Sequence, residues 1–366
     1  ASLMSTAVAI PSLTSILAVC FALALIDQWR ERRRAYQLVW GIGMSFFGLA
    51  SGSEALAAAV GWNELLYRIW YLTGAVWTAG WLGLGTAFLL ARTRFGYSFA
   101  LCLFLAGLFT FLVRSRPEYA AAGSVPILYF ILAGVLALAV AVETYFQNDR
   151  WPLLAAVAVV GATLASVGIM LVTPLPAPGY ALDPATGLPT ATLFPPELRL
   201  LTPFLNVTGA FSLILGAIFS TYVFMPKRRI LTYSLDPEQP GDQFLFNLFI
   251  SPVAIGVNFV ASIPGTVRAL LTGRIHSRVP ATILIALGAF APTVTDSFAK
   301  LGQMELFQLG KLVGVVLLFA GFLVSIEVFR EIRIPFTSIR LATARREHPQ
   351  ALARQEGPDA ASRPAG

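Results

Sequence analysis

Apolar residues in this chain come in runs of about 20 residues that are separated by short polar connections. A helix of about 20 apolar residues crosses roughly 30 Å of hydrocarbon and satisfies its own backbone hydrogen bonds there. The pattern therefore predicts an all-α fold, a polytopic transmembrane helix bundle of about nine spans. We place them at about residues 7–26, 38–60, 66–91, 97–113, 126–146, 151–173, 200–225, 281–299 and 306–329.

The composition agrees with the bilayer as the main environment of the chain. Apolar residues make up 57% of the 366 residues, charged residues 12%, and the mean hydropathy is +0.73. This leaves too little polar surface to cover a soluble domain, so we expect the lipid bilayer to be the first partner. The net charge of +7 comes largely from arginines between the spans, which is a topology signal, and we expect no nucleic-acid partner.

The basic loops predict the orientation. If the N-terminus is outside, most of the arginines and lysines lie on the inner side, including Arg30–Arg34, Lys227–Arg229 and the tail after Arg330. Short basic loops stay in the cytoplasm, so we predict an external N-terminus and a cytoplasmic C-terminus. The excess of arginine over lysine is frequent in GC-rich bacterial genomes, and we expect a bacterial plasma (inner) membrane.

One apolar segment, at residues 243–262, is difficult to assign. As a further span it would move Arg268 and the arginine-rich tail to the outside. Its polar residues Asn247, Ser251, Asn258 and Ser262 recur at roughly helical spacing. We therefore predict a helix in the cytoplasmic interface, with a re-entrant or spanning segment as the alternatives.

Four regions follow from this interpretation. We predict a seven-span bundle at 1–225, a cytoplasmic segment with the interfacial amphipathic helix at 226–280, a transmembrane hairpin at 281–329, and a basic, largely disordered cytoplasmic tail at 330–366. In the last span Gly310, Gly314 and Gly321 share one face. Small residues allow close helix approach, so this face is expected to pack within the chain, on another membrane subunit or on a second copy.

Glu54 is the carboxylate that lies well inside a predicted span. It is about six residues from the outer end of the second span, which is roughly 9 Å of helix. Arg68, at the start of the third span, has a side chain long enough to reach that depth. A carboxylate in hydrocarbon needs a partner, water or a proton. A Glu54–Arg68 pair that fixes the helix hairpin, and a Glu54 that carries a proton or binds a ligand, both fit this pattern.

Within the third span, tryptophans lie at positions that fit steps of three and four residues. A regular helix would place Tyr67, Trp70, Trp77 and Trp81 on one seam. Trp77 lies near the middle of the span, where its indole N–H needs a buried acceptor. The seam is either an aromatic ligand pocket or ordinary packing in a helix bundle.

Asn206 is a polar group at depth in the seventh span, a position typical of a hydrogen bond between helices. In the eighth span Asp296 and Lys300 are four residues apart, which indicates a secondary polar cluster at the outer interface. The candidates for a ligand or proton pathway are therefore Glu54, Arg68, Trp70, Trp77 and Asn206.

No Walker loop, HExxH or GxSxG motif is present, and both histidines lie outside the spans. We expect no catalytic residues, no metal site and no cofactor. The pattern favours a non-enzymatic multi-pass membrane protein that acts as an accessory, scaffolding or ligand-sensing subunit of a membrane assembly. The alternative is a proton-coupled carrier of a small or lipophilic solute that uses Glu54.

Overall fold

The computed structural model describes residues 2–146, 148–184, 187–234, 241–272, 275–276, 278–299, 304–325, 331–333 and 340–342. The α-helices in these ranges are α1 (Ser2–Arg32), α2 (Ala35–Val60), α3 (Glu64–Trp70), α4 (Thr78–Leu89), α5 (Phe95–Leu112), α6 (Val125–Tyr145), α7 (Trp151–Val172), α8 (Pro196–Phe224), α9 (Gly241–Leu271), α10 (Arg278–Ala299) and α11 (Met304–Val324). A π-helical segment, Tyr71–Trp77, joins α3 to α4, and short 3-10 turns follow α5 at Val113–Ser115 and Pro117–Ala122. Strands β1 (Glu331–Arg333) and β2 (Arg340–Ala342) pair antiparallel, with Glu331 opposite Ala342.

Nine helical segments among the described residues are long and apolar enough to cross a membrane. The prediction of a helical membrane protein is confirmed at this level. These segments are Thr6–Arg32, Glu64–Leu89, Phe95–Ser115, Val125–Tyr145, Trp151–Val172, Pro196–Phe224, Phe249–Leu271, Arg278–Thr295 and Glu305–Val324.

The nine segments differ from the nine predicted spans at two places. Helix α9 is included, although the segment at 243–262 was expected to lie in the interface. Helix α2 is not included, yet its 26 residues form a continuous helix of about 39 Å that packs between α1 and α4. Polar residues such as Gln37, Ser53 and Glu54 lower the mean hydropathy of α2.

Two hydrophobic cores meet along α4 and α8. The first joins α3 to α8 around Tyr67, Phe99 and Trp151. The second joins α1, α2, α4 and α8 to α10 and α11, with Phe21 and Trp40 at its centre. The predicted hairpin at 281–329 therefore shares a core with the bundle. We call the end of the bundle that holds residues 173–195 the outer end and the opposite end the inner end, after the predicted orientation.

Glycines bring α4 and α8 into backbone contact. A Cβ atom on Gly209 would lie 2.0 Å from the carbonyl oxygen of Ala79, and one on Gly83 would lie 2.5 Å from the Cα of Gly209. In a bilayer, helices associate through such close packing, because apolar side chains gain little by leaving the lipid. This crossing holds the two cores together.

The glycine face of α11 packs inside the chain. A Cβ on Gly310 would meet Thr295, one on Gly314 would meet Pro292, and one on Gly321 would meet the backbone of Ala281, all on α10. Of the partners expected for this face, the structure shows the one within the chain.

Helix α9 buries its polar side and exposes its apolar side. Ser251, Asn258, Ser262 and Thr266 are at most 7% exposed, and the opposite face carries apolar side chains. The exposed residues of that face include Phe249, Val253, Val260, Ile263, Val267 and Leu271.

Hydrogen bonds fix the polar side of α9 to the segment that follows α8. Asn258 Oδ1 accepts from the backbone N–H groups of Ile230 and Leu231 at 2.7 and 2.9 Å, and its Nδ2 donates to the carbonyl of Leu231 at 2.7 Å. Ser262 Oγ accepts from the N–H of Arg228 at 2.8 Å. The middle of α9 therefore lies beside the basic segment at the inner end of α8.

Parts of two predicted regions lie outside the described residues. In the predicted tail, 330–366, the described residues are the two short strands. In the predicted segment 226–280, residues 235–240, 273–274 and 277 lie outside the described ranges.

We expect Gly209→Ala to lower the free energy of unfolding by about 3 kcal/mol, because the added methyl group would collide with backbone atoms of α4. Gly161→Ala is the matched control, since nothing lies within 4 Å of a Cβ at that exposed position on α7. The control should be neutral or slightly stabilising. Reversible unfolding in mixed micelles measures both variants, and equal effects would contradict the close crossing.

Candidate functional site

The Glu54 carboxylate forms an ion pair with Lys311 across the interface of α2 and α11. The pair joins Glu54 Oε2 to Lys311 Nζ, and the two side chains are 13% and 9% exposed. Two opposite charges that lie together in hydrocarbon cost far less than either charge alone. The pair therefore fastens α11 to α2 near the outer end.

Two further side chains complete the contacts of the Glu54 carboxylate. Gln308 Nε2 donates to Oε2 at 3.0 Å, and Trp70 Nε1 donates to Oε1 at 3.0 Å. Gln308 precedes Lys311 by three residues, so both project from one face of α11. The Lys311 ammonium also lies 4.7 Å from the ring centroid of Phe307. Side chains from two elements, α3 and α11, thus converge on one carboxylate of α2.

The predicted Glu54–Arg68 pair is wrong. Arg68 forms an ion pair with Glu64, one helical turn earlier, with Nη2 2.7 Å from Oε1. Arg68 Nη2 also donates to the carbonyl of Thr173 at 2.7 Å, beyond the end of α7. A partner four residues away on the same helix and free carbonyls at a helix end are closer to Arg68 than the buried carboxylate is. Arg68 joins α3 to the outer end of α7.

Sequence reasoning missed Lys311 and Gln308, although one signal was present. Lys311 lies six residues from Glu305, where the last span begins, and Glu54 lies six residues from Val60, where α2 ends. Both charges are therefore at the same depth, about 9 Å below the outer ends of their helices. Matching the depths of opposite charges in different spans would have identified the pair.

The π-helical segment divides the predicted tryptophan seam. A π turn has i→i+5 hydrogen bonds and holds more residues than an α turn, so it changes the direction of the side chains that follow. Trp70, before the segment, bonds to Glu54 on α2. Trp77 and Trp81 instead donate to Ser166 and Thr163 on α7, at 2.8 and 3.1 Å. The expected buried acceptor for the Trp77 indole is confirmed, but Trp77 belongs to a different helix interface.

Asn206 stabilises the π segment. Its Nδ2 donates to the carbonyl of Ala75 at 2.9 Å, in the π-helical segment. Nearby, the hydroxyl of Tyr71 and that of Thr202 are 2.8 Å apart. Asn206 therefore ties α8 to the third span, and neither Asn206 nor Trp77 lines the cavity described below.

The described part of the outer loop, residues 173–184 and 187–195, lies across the outer end of α3. Phe194 is 2% exposed and stacks between Tyr67 and Tyr71, with ring centroids 4.7 and 4.2 Å apart. The Tyr67 hydroxyl donates to the carbonyl of Thr190. These contacts hold the loop segment at Gly187–Pro189 above Glu54.

A cavity of about 350 Å³ lies between this loop and the ion pair. Glu54, Ala58, Glu305 and Gln308 lie on α2 and α11, and Trp62 follows α2. The remaining lining residues are Thr6, Ala7, Ile10, Pro11, Gly187, Leu188 and Pro189. The volume is within the range of small-molecule sites.

The polar groups of this cavity are mainly hydrogen-bond acceptors. Gln308 Oε1 is buried and has no donor among the described residues. Glu305 forms no ion pair or hydrogen bond within the described part of the chain. The described residues contain no group of three or more His, Cys, Asp or Glu that could hold a metal ion.

The secondary polar cluster predicted at Asp296 and Lys300 involves side chains outside the described part of the structure. Asp296 lies on α10, but its side chain is not among those described, and Lys300 is outside the described residues.

Comparison with protein-family models, with curated proteins and with solved structures gave no match.

We expect the Glu54–Lys311 pair to show strong energetic coupling. Glu54→Gln and Lys311→Met should each lower the free energy of unfolding by about 3 kcal/mol, since each leaves one buried charge without its partner. The double variant should lose less than the sum of the two, with a coupling of about 1–3 kcal/mol.

Glu64→Gln is the control for this cycle. It removes the carboxylate of the more exposed Glu64–Arg68 pair, for which we expect a loss of about 0–1 kcal/mol. Additive effects of Glu54→Gln and Lys311→Met in the same unfolding assay would argue against a direct pair.

Proposed function

We propose that this chain is a non-enzymatic, multi-pass membrane protein that senses an external ligand as a subunit of a membrane assembly. One observation carries this proposal: the outer cavity has at its base an ion pair that joins two helices. A ligand that binds beside Glu54 changes the charge balance of that pair and hence the contact between α2 and α11. A local change of charge at a packed interface is a common form of molecular switch.

Helix α11 is the element suited to transmit the change. Gln308 lines the outer cavity, whereas Phe322 and Ser325, near the other end of the helix, line a second cavity of about 150 Å³ at the inner end. Lys311 and Phe322 are about 16 Å apart along the helix axis. A rigid helix that contacts both cavities couples them physically.

The packing beneath the ion pair supports sensing over the carrier function. Phe322 contacts the ring of Trp40 on α2 and that of Phe21 on α1, with centroids 4.5 and 5.0 Å apart. Phe319 stacks on Phe21 at 4.8 Å. These aromatic side chains fill the seam between Glu54 and the inner end, where a carried solute would need a path.

The proposal includes the orientation and the interfacial position of α9. If α9 crossed the bilayer, its hydrogen bonds from Asn258 and Ser262 would bring Arg228 and Arg229 toward the bilayer centre. Each arginine would then cost about 2.5–3.5 kcal/mol or more. An in-plane α9 keeps these arginines at the membrane surface and places the exposed apolar face on the acyl chains.

With α9 in the plane, α1, α2, the α3–α4 pair, α5–α8, α10 and α11 give nine crossings. The N-terminus is then outside and the C-terminus in the cytoplasm of a bacterial cell, in agreement with the basic loops. Association with other subunits or with a second copy would use a face other than the glycine face of α11.

To test sensing, we expect Glu54→Gln to change the labelling rate of a Ser325→Cys reporter several-fold. The reporter sits at the inner cavity, and the native thiols Cys20 and Cys102 are replaced by alanine in this background. Loss of the Glu54–Lys311 ion pair should shift the inner end of α11 and so change the accessibility of residue 325. The rate of maleimide labelling in nanodiscs measures this change.

Glu64→Gln serves as the control, and it should leave the labelling rate unchanged. If Glu54→Gln lowers stability but leaves the rate at Ser325→Cys as it was, the ion pair is a structural clamp and the sensing proposal fails.

To test the position of α9, we expect spin labels at Phe249, Val260 and Val267 to have the same shallow depth in the bilayer. The first and last of these are about 27 Å apart along the helix axis, so a spanning helix would place Val260 deep and the other two near opposite membrane surfaces. Electron paramagnetic resonance with oxygen and a water-soluble relaxation agent measures the depths. A deepest label at Val260, with the other two shallow, would rule out the in-plane position.

A further inference from the structure

The outer cavity presents acceptors and negative charge to whatever enters it. Among the lining residues, Glu54 and Glu305 are carboxylates, and the Lys311 ammonium lies on the far side of Glu54 rather than in the lining. The Gln308 amide turns its Nε2 toward Glu54, and its buried Oε1 has no donor in the part of the chain that the structure describes. An anion would meet two carboxylates here.

We propose that the ligand of this cavity is an organic ammonium ion, a protonated amine with an apolar body. This inference rests on the function proposed above and specifies its ligand. The ammonium group donates to Gln308 Oε1 and lies between the carboxylates of Glu54 and Glu305. An ammonium carries up to three N–H donors, which matches a site that has several acceptors and a net negative charge.

The apolar lining accounts for the rest of such a ligand. Ile10, Pro11, Ala58 and Leu188 form apolar walls, and Trp62 lines the same cavity. Tryptophan is the aromatic side chain that attracts cations most strongly over its face. Trp62 also packs edge to face on Trp70, at 6.0 Å between centroids, and Trp70 is hydrogen-bonded to Glu54. Trp62 therefore lies one ring away from the carboxylate that the ammonium approaches.

A ligand in this position acts on the ion pair directly. An ammonium beside Glu54 competes with Lys311 for the same carboxylate. It thereby weakens the ion pair that joins α11 to α2. A neutral alcohol of the same size fills the cavity without this competition. The class of ligand and the proposed movement of α11 are thus linked by the charge on one carboxylate.

The test uses probes of equal chain length with the full-length protein in phosphatidylcholine nanodiscs. The probes are n-hexylammonium, hexyltrimethylammonium, 1-hexanol and hexanoate, with empty nanodiscs as the blank for partitioning. Isothermal titration calorimetry should show the tightest binding for hexylammonium, weaker binding for hexyltrimethylammonium, which has no N–H, and the weakest for hexanoate. Lack of hexylammonium binding at millimolar concentration would overturn the proposal.

Variants locate the binding in the cavity. Glu305→Gln should weaken hexylammonium binding about fivefold, because it removes an exposed negative charge but keeps an oxygen acceptor at the cavity. Gln308→Met should remove the preference for hexylammonium over hexyltrimethylammonium, because it removes the acceptor for the N–H. Ala58→Trp should block binding by filling the cavity, whereas the neighbouring exposed Ala59→Trp and Glu64→Gln should have no effect, since neither Ala59 nor Glu64 lines the cavity.

Nanodiscs with phosphatidylethanolamine distinguish two sources of the ammonium group. If a lipid headgroup is the natural ligand, phosphatidylethanolamine should compete with hexylammonium; if a free amine is the ligand, the affinity should be the same in both lipids. Equal binding of hexanol or hexanoate in the cavity would overturn the ammonium assignment and leave the sensing function intact. That function has its own test in the Ser325→Cys labelling, which requires no ligand.

Discussion

The structure depends on the rule that a charge in hydrocarbon must have a partner. Glu54 and Lys311 lie on helices separated by more than 240 residues of chain. Each charge offsets much of the free-energy cost of burying the other. The pair, together with the packing of α11 on α1 and of α10 on α8, attaches the C-terminal hairpin to the bundle. The cavity above the pair then has walls from both ends of the chain. The same carboxylate, Glu54, therefore holds α2 to α11 and supplies the charged group beside the cavity.

Local patterns carried most of the prediction of the fold. Runs of apolar residues gave the spans, since a membrane helix satisfies its own backbone and needs few other signals. Helix α9 shows where this signal stops. Its residues are apolar enough to cross, but the hydrogen bonds of Asn258 and Ser262 to a distant loop bear on its position, and hydropathy does not record such bonds. The glycines of α11 likewise predicted close packing but could not say which helix they would meet.

The candidate site was predicted at one residue and missed at its partners. Glu54 stands out in the sequence because a carboxylate within a span is costly in any arrangement. Arg68 is near Glu54 in the sequence, but it is closer to Glu64, one helical turn away on the same helix. Arg68 therefore pairs with Glu64. Lys311 could be matched to Glu54 by depth, whereas the role of Gln308 depends on the rotation of α11. The tryptophans contact two different helices because of the π segment, and no residue pattern in Tyr71–Trp77 predicts that segment.

The π segment also bears on how such a chain changes over generations. A wide turn accommodates an additional residue without ending the helix, so one codon gained or lost there would rotate everything beyond it relative to everything before it. On one side lies Trp70 with Glu54, and on the other lie Trp77 and Trp81 with α7. The side chains at the outer site and those that pack on α7 are thus related by a rotation that these seven residues determine.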